Sequence, residues 1–305
     1  MMFSSKMRRT VFAVVAVFGS LTLSLPSSVK AQSLEDMAVM AIELGQDDLL
    51  QRAIERGANV NGRAGDFSLL GHAVRLDRMG VITLLVRRGA DINLATGPAT
   101  QQRSPLAIAL EAGRRDHDRF STALGLLRLG ADPKTMNSLA ARTAISAANL
   151  TLYQAVLSAG GSPADLGPNN TPVFHFAIDA ASDAMRRALS GCDSAQVDRL
   201  RALMKILDVS LAEGADLNRP INGVPLLSFA LSRGLFDFAE AMIRNGVSPI
   251  QAGTDNRRPL QVAYAFALPA PENCPSDPFW RFAFRAEVAA DQQRMVERLL
   301  RSMLQ

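Results

Sequence analysis

The chain has 305 residues, 48% hydrophobic, 20% charged and 6% aromatic, with 33 basic side chains against 29 acidic ones. That length suits two average domains or one extended architecture, and two tyrosines and one tryptophan argue against an all-β sandwich or barrel. The net charge of +4 would suit a nucleic-acid partner, but its placement along the chain excludes that reading.

The excess lies at the start. MMFSSKMRR is basic, residues 11–25 are apolar, and SLPSSVKA ends with Val29 and Ala31 at the −3 and −1 positions. This layout predicts a secretory signal peptide over 1–31, cleaved before Gln32. The apolar run is shorter than the roughly 20 residues of a spanning helix, and an uncleaved anchor is the alternative. Lys6, Arg8, Arg9 and Lys30 fall here with no acid, so residues 32–305 carry 29 charges of each sign. A formally neutral mature chain gives no ground for nucleic-acid binding. No cysteine follows the apolar run to carry a lipid anchor, and no second long apolar stretch predicts a membrane span after cleavage.

From there the predicted elements come in pairs. Residues 34–44 and 47–56 show helical apolar spacing. RGANVN (56–61) follows, and variants return as RGADIN (88–93), LGADP (129–133), AGGSP (159–163), EGADLN (213–218) and NGVSP (245–249). Their glycines, Gly57, Gly89, Gly130, Gly160, Gly214 and Gly246, lie 32, 41, 30, 54 and 32 residues apart. A period near 33 with longer gaps is a repeat array carrying insertions. A second marker keeps step with it: SLLGHAV (68–74), SPLAIAL (104–110), TAISAAN (143–149), TPVFHFA (171–177), VPLLSFA (224–230) and RPLQVAY (258–264). Between markers run patterns such as MGVITLLVRRG, with Val81, Leu84 and Leu85 on one helical face.

One unit therefore reads as a helix, a short turn, an amphipathic helix, a glycine stop and an extended turn. Ser or Thr before Pro supplies a capping oxygen ahead of a residue whose missing N–H costs nothing there. Glycine takes the left-handed position that closes a helix, and the next Asp or Asn bonds locally to turn the chain outward. Residues 291–304 predict a last amphipathic helix with Met295, Leu299, Leu300 and Met303 apolar and no glycine stop after it, as in a terminal cap.

Two motifs in phase over six units, across nearly all of 33–305, resemble the ankyrin repeat, which opens on Thr-Pro-Leu-His-x-Ala and closes on Gly-Ala-Asp-x-Asn. The resemblance implies an all-α solenoid of about six to seven helix-turn-helix units with short extended turns, one domain over 32–305. The family's His is replaced by Gly71, Ala107, Ser146, Phe174, Leu227 and Gln261, so apolar packing is expected to stand in for some of its hydrogen bonds. Extra residues at about 111–121, 180–200 and 267–289 fall between the first and second helix of a unit. In an ankyrin stack those positions share one rim, opposite the turns. They are either tolerated surface insertions or the cover of a partner site.

Cys192 and Cys274 both lie in these insertions, and an even pair in an oxidising compartment predicts a disulfide between them. Units two repeats apart stand about 20 Å from each other, beyond disulfide reach, so the long insertions would have to close the gap. The run DPFWRFAF (277–284) predicts packing of its insertion onto the helices through Phe279, Trp280, Phe282 and Phe284, with an exposed binding patch as the other reading. His72 and His175 fall one place after the family's His and predict helix-start roles, while His117 sits in the polar run RRDHDR. No HExxH, Cys-x-x-Cys, Gly-x-Ser-x-Gly or phosphate loop is present, so no enzyme, metal or cofactor is expected.

The resemblance implies a monomeric scaffold that binds another protein through its concave face and turn tips. The tips offer Arg63, Asp66 and Phe67; Gln101, Gln102 and Arg103; Asn169 and Asn170; Arg219 and Asn222; and Asp255, Asn256 and Arg257. The signal predicts the periplasm of a Gram-negative bacterium, with secretion as the alternative and a host protein as the partner in that case. An enzyme with a site under an insertion is the third reading.

Overall fold

The computed structural model describes residues 33–304 except 192, 222, 253–255 and 271–278. The expected signal peptide, both cysteines of the expected disulfide, Asn222 and Asp255 lie outside the described residues. The chain is mostly helical, an all-α arrangement with very little strand.

Among the described residues the α-helices form consecutive pairs. These are α1 (Leu34–Leu44) with α2 (Asp47–Glu55), α3 (Leu69–Arg75) with α4 (Met79–Arg87), and α5 (Pro105–Arg115) with α6 (Phe120–Arg128). Then come α7 (Thr135–Ser146) with α8 (Leu150–Ser158), and α9 (Val173–Ser190) with α10 (Ala195–Ala212). The last are α11 (Leu226–Ser232) with α12 (Phe236–Arg244), and α13 (Pro259–Ala265) with α14 (Phe279–Leu304). The expected helix at 291–304 is thus the second half of α14.

Helix starts follow their capping residues. The side-chain oxygens of Ser33, Ser68, Ser104 and Asn149 accept the N–H groups of Asp36, Gly71, Ala107 and Leu152 at 3.1, 3.1, 3.2 and 2.9 Å. Within four pairs the turn between helices repeats one geometry. A left-handed residue, Gly45, Asp77, Ala148 or Gly234, lets the next N–H reach back to the carbonyl of Ala41, Ala73, Ala144 or Ala230 at 2.8–3.0 Å.

The six closing glycines share φ between 79 and 101°. After each, the following N–H bonds back to the carbonyl of Ala53, Leu85, Leu126, Val156, Ser210 or Met242 at 2.9–3.1 Å, the left-handed helix closure the sequence predicts. The Asp or Asn that follows bonds locally as well: Asn59, Asp91, Asp132 and Asp216 accept the N–H two residues on at 2.9–3.0 Å. The extended turns beyond are minimal hairpins: β1 (Arg63–Ala64) on β2 (Phe67–Ser68), with single bridges at Thr96–Arg103, Leu166–Pro172 and Ile221–Val224.

The fourth unit corrects the expected phase. TAISAAN was expected to open a helix, yet Thr143–Ser146 form the last turn of α7. Met136, Asn137 and Ser138 are left-handed, so regular helix begins near Leu139. At the family's histidine positions Gly71, Ala107, Phe174 and Leu227 are buried, while Ser146 and Gln261 are exposed.

The odd-numbered helices α1, α3, α5, α7 and α9 pack in succession, α11 packs on α13, and α6, α8, α10, α12 and α14 form a second row. Between the rows Leu50, Leu69, Leu85, Leu126 and Phe238 have no exposed surface. The second insertion does not loop out; it lengthens α9 and α10 to 18 residues each. It also meets the third insertion, because Arg285 donates to the carbonyls of Leu189 at 2.7 Å and Pro269 at 2.8 Å. In the aromatic run, Phe284 joins the core at 8% exposure while Phe282 stands 57% exposed.

Candidate functional site

The hairpins place the described tip residues in successive turns, but the side chains of Arg63 and Arg219 are spent on a neighbouring turn and that of Arg103 within its own unit. Arg63 donates to the Ala95 carbonyl at 3.1 Å, and Gly97 N–H donates to the Asp66 carbonyl at 2.8 Å. Arg103 pairs with Glu111 at 2.5 Å and reaches Gln101 at 3.5 Å, and Arg219 donates to the Asn170 carbonyl at 2.7 Å. Gln102, Asn169, Asn256 and Arg257 are exposed, Phe67 is half-buried, and Asn169, Asn170 and Asn256 are left-handed. The tips therefore form a linked edge more than a set of separate contacts.

Next to that edge lies a feature the sequence reading missed. Three arginines rest on phenylalanine rings along the odd-numbered row: Arg75 on Phe67 at 4.4 Å, Arg142 on Phe176 at 5.6 Å and Arg233 on Phe229 at 5.1 Å. Tyr264 on α13 is 77% exposed. Cation–π contact of this kind holds a long cationic side chain in place, and exposed Arg and Tyr are enriched where proteins bind one another.

The odd-numbered row also carries a cleft of about 310 Å³, lined by Arg114, Arg142 and Arg199 with apolar walls from Leu139, Phe176 and Ala180. Leu139, Arg142, Thr143 and Ser146 lie at helical spacing on one side of α7. Arg114 lies in the last turn of α5, and Arg199 comes from the lengthened α10. Arg199 donates to the Ser146 carbonyl at 2.8 Å and Arg142 to the Asn137 carbonyl at 3.3 Å, so both heads are positioned. Burial first, and the Arg114 charge second, push the Arg142 pKa down. The guanidinium nevertheless stays charged at neutral pH.

The two described histidines at helix starts differ. His72 Nε2 lies 3.0 Å from the Ala64 carbonyl, whereas His175 is 4% exposed and its Nε2 has no hydrogen-bond partner among the described residues. Among the described residues no His, Cys, Asp or Glu cluster could hold a metal ion, and no helix is long and apolar enough to cross a membrane. Compared with known proteins, the chain matches no family model and no curated protein.

Proposed function

We propose that the chain is an exported ankyrin-type scaffold that binds another protein through the odd-numbered helix face and the adjoining turn tips. The row of arginine–phenylalanine pairs ending at exposed Tyr264 carries this reading. Such a surface offers rigid aromatic area and planar cations of the kind that anchor protein interfaces. The in-phase glycine stops and Asp turns support the ankyrin-type repeat, and the basic-apolar-small pattern of residues 1–31 supports export to the periplasm.

The test is affinity capture from an envelope extract with the parent chain, the double variant Phe229→Ala/Tyr264→Ala, and Asp237→Ala on α12 as control. The reading expects a partner held by the parent and the control and lost by the double variant. A set of retained proteins identical in all three would overturn it.

A further inference from the structure

We propose that the Arg114–Arg142–Arg199 cleft is a binding site for a carboxylate carried on a flat apolar group. Its source is either a free small acid or the terminal residue of a bound protein. The inference goes beyond the proposed scaffold function and stands without it.

Charge is the first argument. Three guanidinium groups line one cleft, and among the described residues no carboxylate lines it with them. Of the acids on neighbouring stretches, Glu111 pairs with Arg103 at 2.5 Å, Asp183 with Arg186 at 2.5 Å and Arg187 at 2.8 Å, and Asp198 with Arg201 at 3.5 Å, while Asp179, next to Ala180, feels the Arg233 charge. Like charges gathered on a partly buried surface destabilise one another, and a bound anion would offset that cost. Such a concentration stands out in a chain whose residues 32–305 are formally neutral.

Geometry is the second. Arg142 is held at one end by the Asn137 carbonyl and on one face by the Phe176 ring, and Arg199 by the Ser146 carbonyl. Both forks are thus ordered before a ligand arrives, which lowers the entropy lost in binding. Arginine forks match the two oxygens of a carboxylate in a bidentate way. Leu139, Phe176 and Ala180 give the cleft an apolar side, and its volume of about 310 Å³ falls at the small end for ligand sites. Bare phosphate would leave that side unused. A carboxylate beside a flat apolar group such as an aromatic ring would use both sides.

The test uses calorimetric titration of the purified chain with N-acetylphenylalanine, with its uncharged amide and with inorganic phosphate. The acid is expected to bind, the amide and phosphate each about tenfold or more weakly, since hydrogen bonds between charged partners exceed neutral ones. Raised salt should weaken the acid. Arg114→Gln, at an exposed helix end, and Arg199→Gln should each weaken it by about tenfold with an unchanged melting temperature. Arg142→Lys keeps the charge and loses the fork, so it too should bind less. Should Arg199→Gln melt early through loss of its bond to Ser146, Arg114→Gln carries the test alone. No binding of the acid, equal binding of the amide, phosphate as tight as the acid, or a well-folded Arg114→Gln that binds like the parent would each overturn the proposal. Partner capture by Arg114→Gln then identifies the source: capture lost with acid binding marks a protein terminus, and capture retained marks a free acid.

Discussion

The two halves of the chain are held together by different means. From α1 to α8 the extended turns are joined by a side-chain ladder. Glu35 accepts the Asn59 N–H at 3.0 Å, Asn61 accepts the Asp91 N–H at 2.7 Å, and Asn93 accepts the Asp132 N–H at 2.9 Å. The ladder then gives way to an ion pair, Lys134 to Asp165 at 3.5 Å. From α9 onward aromatic packing is the common theme: Phe174 against Phe238 at 6.3 Å, and Phe236 against Phe266 at 5.3 Å with rings perpendicular. At the join, Tyr153 of α8 and Ser210 of α10 share a buried hydrogen bond at 2.8 Å. Both halves share the glycine closures and a buried core; the first adds side-chain bonds between its turns, the second adds aromatic contacts.

The largest expected effect comes from breaking the second half. Phe174 is 1% exposed, and Phe174→Ala should cost about 3–5 kcal/mol through lost burial and the cavity left behind. Hydrogen exchange should show protection lost in α9–α12 before α1–α4. Uniform loss along the chain would mean the halves unfold as one unit.

Glycine substitutions sharpen the contrast. A Cβ at Gly89 (φ 91°) would meet nothing within 4 Å, whereas one at Gly234 (φ 74°) would lie 2.6 Å from the Phe266 ring. Gly89→Ala should cost about 1–2 kcal/mol from the left-handed backbone alone, and Gly89→Asn less, because Asn tolerates that conformation. At Gly234 neither substitution escapes the ring, so Ala and Asn should both cost more than at Gly89. Urea midpoints of the four variants decide it, and equal losses for Ala and Asn at Gly89 would remove the backbone argument.

The same contrast explains what the sequence could disclose. A residue held at positive φ favours glycine whatever packs around it, so six glycine stops were legible one by one. The cleft was not, because Arg114, Arg142 and Arg199 stand on three helices and meet only once α5, α7 and α10 are stacked in register. An error of phase deepened the loss. With TAISAAN read as a helix start, Arg142 falls just before a helix, when in fact it lies half-buried within α7. The lengthening of α9 and α10 was likewise read as an insertion of unassigned shape, although 180–190 continues the helical pattern of 173–179. At the tips, sequence identified exposed polar residues but gave no sign that Arg63 bonds to the following turn and Arg219 to the preceding one, since the acceptors are main-chain carbonyls.

Smaller effects test the ladder itself. Asn93→Ala removes the acceptor for Asp132 N–H at an exposed site, and should cost about 0.5–1.5 kcal/mol. Asn218→Ala, past the ladder's end, should cost less, because its side chain bridges to no following turn among the described hydrogen bonds. Equal urea midpoints for the two would show that the ladder adds nothing to the local turn.

The smallest effect is a pH dependence confined to the second half. Burial first and the Arg219 charge second hold His175 below the ordinary histidine pKa of 6.5, against a hydrogen bond to the Arg219 backbone and the Asp216 charge. The unfolded chain takes up this proton at the ordinary value while the folded chain resists it. The unfolded state therefore binds more protons below pH 6.5, and stability falls as pH drops through that value toward the folded one. Above it the group adds no pH dependence. His175→Leu removes the titrating ring and keeps an apolar side chain in the space, so its melting temperature should fall less steeply than the parent's below that pH. Parallel curves for the two chains would show that the buried ring takes its proton as readily folded as unfolded.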